Sequence, residues 1–338
     1  MATYKDIQRE TGLSLATISK HFNGGSVLPA NAKAIDDAAA RLRFRPNAFA
    51  RNLRSRRSRT VGVLMPTLDS DFYLSILTGI ERHLRVNGVS LLICADHEPE
   101  EGLGGAVEFL TSRMVDGIIT VPTEYSAPAL RDLVEQGTPV VTLDWRSPGL
   151  EADAVVIDNA RATAMAIQHL VDHGHERIAY LAGDGSTPTQ LARLEGVERQ
   201  LAARDIPIRD ELIVRSPQSV AGGRESMQRL LLLEQRPTAV FTATNFLAIG
   251  ALTALHESGA RIPRDISFVG FDMQVLARVT HPSLAMIAQR VDEIAKSASN
   301  LMLARLSERD AVAAPPRVVT VAADYVPGES VADLRPVD

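Results

Sequence analysis

RPNAFARNLRSRRSR, residues 45–59, is the stretch on which the reading of this chain turns, because a basic beginning meets a long acidic remainder there. Residues 1–60 hold 12 Lys+Arg against 4 Asp+Glu, which leaves 24 against 37 for the rest of a chain whose net charge is -5. Only the first part suits a polyanion, and the remainder repels one. Pro46 ends a preceding helix, since the residue before a proline avoids the helical region, and Asn47 can cap a new one. That new helix is about two turns long, and isolated helices under ~12 residues are marginal in water. It therefore needs partners, and the stretch reads as a hinge. A solvated basic linker explains the charge but not the placement of Asn47 and Leu53.

Toward the amino terminus, residues 3–23, TYKDIQRETGLSLATISKHFN, read as two short helices joined by a tight turn. Ile7 belongs to the first, Gly12 supplies the turn, Ser14 caps the second, and Leu13, Ile18 and Phe22 follow at helical spacing. A third helix is expected from about Ala30 to Arg43, with Ile35, Ala39 and Leu42 as its apolar stripe. The second helix leaves Leu15, Ala16, Thr17, Ser19 and Lys20 outward, a set suited to phosphates and thymine methyls. Leu15 and Ala16 cannot make bidentate hydrogen bonds to bases, so methyl or shape readout is expected there.

Toward the carboxyl terminus the chain repeats strand, turn and helix. VGVLMP, VSLLICA, DGIITVP, PVVTLD, DAVVID, RIAYLAG, TAVFTAT and DISFVGFD are the strand candidates, and several intervening helices close on glycine. The alternation predicts parallel sheets covered by helices on both faces, two of them, with a cleft between. Ligands of such sheets bind beyond the carboxyl ends of the strands. Asp69 to Tyr73, Asp144 to Arg146, Gly183 to Arg193, Thr244 to Phe246 and Asp272 stand at those ends. Carboxylates and an arginine there can pair with several hydroxyls, and Phe72, Tyr73 and Trp145 offer flat faces for a ring.

Other chemistry finds little support. Cys94 is the single cysteine, which excludes an internal disulfide or a Cys-based zinc site. His169, His173 and His175 lack the Glu of an H-E-x-x-H metal motif and read as helix surface and a helix-ending turn. Gly183-Asp184-Gly185 is a fragment of a dinucleotide fingerprint, and no P-loop occurs. No catalytic constellation, cofactor or metal is expected. The opening MATYKDIQRE lacks a signal peptide's apolar core and no apolar run reaches roughly 18 residues, so a cytoplasmic protein is expected.

The wording of the first helices resembles the headpiece of the LacI/GalR family of bacterial transcription regulators. Asp6, Ile7, Gly12, Leu13, Ser14, Thr17, Ile18, Ser19 and Lys20 match its motif in order, with Asn23 at the usual asparagine. Phe44, Pro46, Asn47 and the run Ala48 to Leu53 match its hinge. VVIDNARATAMAIQHLVDHGHERIAYLAG, RPTAVFTATNFLAIGAL and RIPRDISFVGFD are similar to its effector domain. The chain departs from the family at Gln8, Thr11, Asn31, Ala32 and Asn245, the last taking the place of a carboxylate.

The resemblance implies an α/β regulator with a helix-turn-helix headpiece (1–45), a hinge helix and linker (46–60) and an effector domain (61–338). The latter comprises two doubly wound parallel-sheet subdomains of the periplasmic-binding-protein type, 61–159 with 289–318 and 160–288 with 319–338. DNA contacts implied are Tyr4, Lys5, Ser14, Leu15, Ala16, Thr17, Ser19, Lys20, Asn23, Asn47, Arg51, Leu53 and Arg54, with Leu53 wedged into the minor groove. Effector contacts implied are Phe72, Tyr73, Trp145, Arg146, Arg193, Thr244, Asn245 and Asp272. The implied partners are operator DNA, a small polar effector such as a sugar or sugar acid, and a second copy of the chain joined through helices at 72–86 and 100–113. A periplasmic-type solute-binding protein without a DNA role is the alternative, which the basic headpiece opposes.

Overall fold

The computed structural model describes residues 2–22, 25–44, 57–96, 105–307 and 314–336. It divides into one unit up to Ser58 and a second from Arg59 to Asp338. The predicted hinge contacts Asn47, Arg51, Leu53 and Arg54, and the headpiece contact Asn23, lie outside the described residues.

The first unit holds three helices, α1 (Tyr4–Thr11), α2 (Leu15–Phe22) and α3 (Pro29–Arg41). The amide and hydroxyl of Thr3 both donate to the Asp6 carboxylate at 2.8 Å, closing the first turn of α1. Gly12 ends that helix at φ +68°, a left-handed conformation that costs glycine nothing, and its amide donates to the Gln8 carbonyl at 2.8 Å. Ser14 Oγ accepts from the Thr17 amide at 3.1 Å, a cap of the kind typically worth about 1 kcal/mol. Ile7, Ile18, Ile35 and Ala38 are fully buried. Against them lie the rings of Tyr4, Phe22 and Phe44, with centroids 5.2–5.6 Å apart.

The second unit carries two six-stranded sheets. β1 (Thr60–Met65), α4 (Asp71–Val86), β2 (Ser90–Ala95), α5 (Ala106–Ser112), β3 (Gly117–Thr120), α6 (Ala127–Glu135), β4 (Val140–Asp144) and β5 (Asp153–Ile157) begin the first sheet. After α7 (Asn159–Asp172) the second is built from β6 (Ile178–Ala182), α8 (Pro188–Ala202), β7 (Ile213–Arg215), α9 (Val220–Leu231), β8 (Ala239–Thr242), α10 (Asn245–Ser258), β9 (Ser267–Phe271), α11 (Gln274–Val279) and β10 (Ala285–Gln289). The chain then returns through α12 (Val291–Ser307) to β11 (Val318–Val321) and ends with β12 (Ala323–Val326). The sheet orders are β11-β5-β4-β3-β1-β2 and β12-β10-β9-β8-β6-β7. Every pairing is parallel except that of β10 with β12.

All eight strand candidates form strands. β7, β10, β11 and β12 are additional. β10, AMIAQ, holds a single β-branched residue, Ile287, and lacks the enrichment that marks a buried strand, while β7, IVR, is too short to show a pattern. β11 and β12 sit in one run, VVTVAADYV, with only Ala322 between them, yet they join different sheets. The last crossing therefore falls at Ala322 rather than after residue 318. The chain passes between the sheets three times, after β5, β10 and β11.

Burial follows from the doubly wound arrangement. Ile76, Ile80 and Leu84 of α4 and Ile294, Ala298 and Met302 of α12 pack on the first sheet. Ala162, Ala166 and Leu170 of α7 and Leu194, Val197 and Leu201 of α8 pack on the second. At the foot of the first sheet the Asp153 carboxylate, with no exposed surface, accepts from Arg305 Nε at 2.9 Å and Nη2 at 2.7 Å. It also takes the Arg317 amide at 2.7 Å, while Arg305 reaches the carbonyls of Ala314 and Pro315 at 3.0 and 2.9 Å. One carboxylate so ties β5, α12 and the lead into β11.

Candidate functional site

The carboxyl ends of strands β1, β3, β4, β6, β8, β9 and β10 open on a cavity of about 460 Å³ between the two sheets. After β1, Ser70 precedes α4 and places Phe72 and Tyr73 on the wall. Asp144 closes β4 at φ +70°, followed by Trp145, and the loop after β3 adds Glu124 and Tyr125. From the second sheet, Thr187 caps α8 by accepting the Gln190 amide at 3.3 Å, so that Thr189, Gln190 and Arg193 occupy the first turns. Thr244 caps α10 by accepting from Leu247 N at 3.3 Å and leaves Asn245 and Phe246 at the rim. Asp272 ends β9 at φ +53°, and Gln289 ends β10.

Arg193 is the centre of the electrostatics. It is 6% exposed, and its guanidinium lies 3.7 Å from the Phe271 ring centroid. Its Nε donates to Asn159 Oδ1 at 2.8 Å and its Nη1 to the Ala243 carbonyl at 2.5 Å. Withdrawal from water lifts the Asp272 carboxyl to about 6, against the opposing pull of Arg193 and of hydrogen bonds from Gln289. One Asp272 oxygen accepts the Gln289 backbone amide at 2.9 Å and the other accepts its side-chain amide. Burial also raises Asp144, with Arg193 and the Thr189 hydroxyl pulling the other way. That hydroxyl donates to Asp144 Oδ1 at 3.3 Å across the cleft. Burial, reinforced by Asp144, pushes the Tyr73 phenol well above its usual range.

The raised Asp272 value fixes a sign. A folded-state value of about 6 lies above the ~3.9 of an unfolded aspartate, so the folded state holds the proton more tightly. Its stabilising contribution is complete below about pH 4 and is lost as pH rises through about 6. Melting temperatures of wild type and Asp272→Asn, compared across that window, should converge toward low pH and separate above it in favour of the asparagine. A difference that is flat with pH would show that Asp272 titrates normally.

Of the predicted effector residues, Phe72, Tyr73, Trp145, Arg193, Thr244, Asn245 and Asp272 come together on the cavity lining. Arg146 does not: it is exposed and absent from the lining, because Asp144 turns the chain and Arg146 lies beyond that turn in the loop. Asp144, Thr189 and Gln190 lie in segments that the sequence places at strand ends but does not single out. Gln289 ends a strand that carries no sequence signature, and Tyr125 stands in a loop beyond DGIITVP that carries no motif.

In the headpiece Lys5, Ser14, Leu15, Ala16 and Lys20 are exposed, with Thr17 and Ser19 partly so. Tyr4 is half-buried, its ring stacked on Phe22, which leaves only part of it for any outside contact. His175 is buried, its Nδ1 2.9 Å from Thr238 Oγ1 and its Nε2 3.2 Å from the Ala332 carbonyl, where it ties the terminal segment to the second sheet. The rings of His169 and His173 lie 4.1 Å apart.

A periplasmic binding protein-like domain matches residues 167–331. The HTH-type transcriptional repressor PurR of Actinobacillus pleuropneumoniae serotype 3 is 30% identical over 307 residues, which cover 90% of this chain and 91% of that protein. The crystal structure of a LacI family transcriptional regulator from Enterococcus faecium with bound ribose is similar at a TM-score of 0.73 and 29% identity, over 82% of this chain and all of that one. The lac repressor dimer bound to operator and the anti-inducer ONPF shares the fold, with a TM-score of 0.83 at 24% identity over 98% of this chain and 99% of that one. Among the described residues no helix is long and apolar enough to cross a membrane.

Proposed function

The chain belongs to the LacI/GalR family of bacterial transcription regulators, and from that premise we propose that its cavity binds a neutral polyhydroxylated ring which controls operator affinity. It is a DNA-binding repressor of that family and not an enzyme. The observation that carries the effector class is the commitment of Arg193. Among the described residues it is the only Lys or Arg on the lining, where its charge acts on Asp144 and Asp272. Its Nε and Nη1 already donate to Asn159 and Ala243, and its charge is already set against those two carboxylates. A sugar acid would bring a third negative charge to two half-buried carboxylates with no free cation to meet it, and Arg146 stands away from the lining. Hydroxyls can donate to those carboxylates, and Phe72, Trp145 and Phe246 supply flat faces for a ring. The ribose bound by the Enterococcus faecium regulator is a ligand of this class.

The DNA-reading residues are the exposed positions of α2 with Lys5, joined by Asn23 and by the hinge contacts named above. A dimer is supported by the apolar surface that α4, α5 and the edge strand β2 leave outward. Leu74, Ile93 and Phe109 are more than two-fifths exposed there, and Met114 just beyond α5 is more so, an unusual amount of apolar surface to leave in water. A cytoplasmic location follows from a role on operator DNA.

A mobility shift of the DNA upstream of the protein's own gene, combined with a thermal-shift screen, tests the reading. Ribose, glucose, cellobiose, gluconate, glucuronate and adenine serve as probes. A neutral sugar is expected to raise the melting temperature by several degrees, since a ligand at 100 times its Kd adds about 2.7 kcal/mol, and the same sugar should alter the shift. Stabilisation by gluconate or glucuronate but by no neutral sugar would overturn the effector class. Failure to shift any operator-length DNA would overturn the DNA role.

A further inference from the structure

We propose that the Gly183-Asp184-Gly185 turn holds the side-chain amide of Gln190 as the donor that reads the effector, which makes Gln190 a specificity-determining residue. It has that role only if the cavity takes a ligand as described above. The turn joins β6 to α8 and matched no nucleotide motif, yet each of its glycines is used. Gly185 donates its amide to Gln190 Oε1 at 2.5 Å. Gly183 lies under the amide: a Cβ there would stand 2.6 Å from Cδ, 2.7 Å from Oε1 and 2.9 Å from Nε2. Only glycine lets the amide rest where it does.

Held in this way, the amide has a donor left over. Gln190 is 6% exposed and lines the cavity, and its Nε2 has no hydrogen-bond partner among the described residues. Asp184 is held below its usual range chiefly by Ser186, with a smaller contribution from this amide, but no acceptor stands in hydrogen-bonding geometry to Nε2. Gln289, 5% exposed and on the same lining, provides the complement. Its Nε2 donates to Asp272 while its Oε1 has no partner. Buried polar groups are nearly always paired, and one spare donor with one spare acceptor on a single cavity defines what is missing. Neither atom is open to water, and a tilt of each side chain that keeps the bonds to Gly185 and Asp272 brings the spare atom to the ligand. An uncharged ligand bearing hydroxyls satisfies both, accepting from Gln190 and donating to Gln289. A carboxylate offers acceptors only and leaves Gln289 Oε1 facing a lone pair.

Full-length wild type, Gln190→Glu and Gly183→Ala are compared by calorimetry and thermal shift with ribose, glucose, galactose and cellobiose as probes. Gln190→Glu keeps the oxygen that Gly185 needs and replaces the donor by an acceptor. Gly183→Ala leaves the identity of every lining side chain unchanged but pushes the Gln190 amide aside. A probe that binds wild type is expected to bind both variants at least about tenfold more weakly, with ligand-free melting temperatures within a few degrees of wild type. Equal affinity in all three proteins overturns the role of Gln190 and leaves the effector cavity standing. Absence of binding by every probe to wild type overturns the cavity reading, and this role with it.

Discussion

Replacing Arg193 by leucine is expected to abolish the thermal shift given by the effector and to lower the stability of the ligand-free protein by about 2–4 kcal/mol. The guanidinium does three things at once. It pairs the buried Asn159 Oδ1 and the Ala243 carbonyl, it covers the face of Phe271, and it opposes the two raised carboxylates. Leucine fills part of the volume but leaves two acceptors unpaired, each typically costing about 1–3 kcal/mol. Without the cation, Asp144 and Asp272 take up protons at higher pH, and a protonated acid is a poorer acceptor for sugar hydroxyls. Lysine does not rescue, since a point charge cannot reach Asn159 and Ala243 in the planar fork that Arg193 uses. Melting curves with and without the neutral sugar found by screening decide the matter. A leucine variant that still responds to that sugar with unchanged affinity would remove Arg193 from the site.

Asp153→Ala should cost more, about 3–5 kcal/mol, because it strands Arg305, whose side chain is 8% exposed. A loss of that size lowers the melting temperature of a unit this large by roughly 10 °C. Burial alone would raise the Asp153 carboxyl, but hydrogen bonds from Arg305 and Arg317 outweigh it and hold the group below the usual range. The folded value is the depressed one, so its contribution is present above about pH 4 and is lost as pH falls further. The double variant Asp153→Leu with Arg305→Met should recover much of the loss, since a buried pair replaced by apolar groups of similar volume is often tolerated. If the double variant is as unstable as the sum of the singles, the two residues do not act on each other and the cluster is not a unit.

How much of this was legible in sequence differs between the layers. Strands rich in β-branched residues and helices ending on glycine announced themselves, strand-end logic led to the segments that hold Phe72, Tyr73, Trp145, Arg193 and Asp272, and the family resemblance implied those residues within them. Local chemistry was equally plain in the headpiece, where Gly12 and Ser14 do what their residue types are good for. Pairing at long range was not. Gln289 lies on a strand with one β-branched residue and meets Asp272 only because β9 and β10 lie side by side. The crossing at Ala322 leaves no mark, since VVTV and ADYV read as one extended run until each finds a different sheet. Arg146 fails for a related reason. It adjoins Asp144 and Trp145 in sequence, but the left-handed turn at Asp144 decides which of the neighbours faces the cleft.

The threefold passage of the chain between the two sheets has a mechanical consequence. Two bodies joined by one strand of chain can swivel about any axis, whereas three connections bind them as a strip binds the covers of a book. Twisting one half against the other stretches at least one connection, while opening and shutting stretches none. The soft motion is therefore a single bend that widens or narrows the cavity, and a ligand bridging Asp144 and Asp272 acts on that coordinate. Neither half is continuous in sequence, so no cut between β6 and β11 yields a complete sheet. The sensor has to fold, and respond, as one piece.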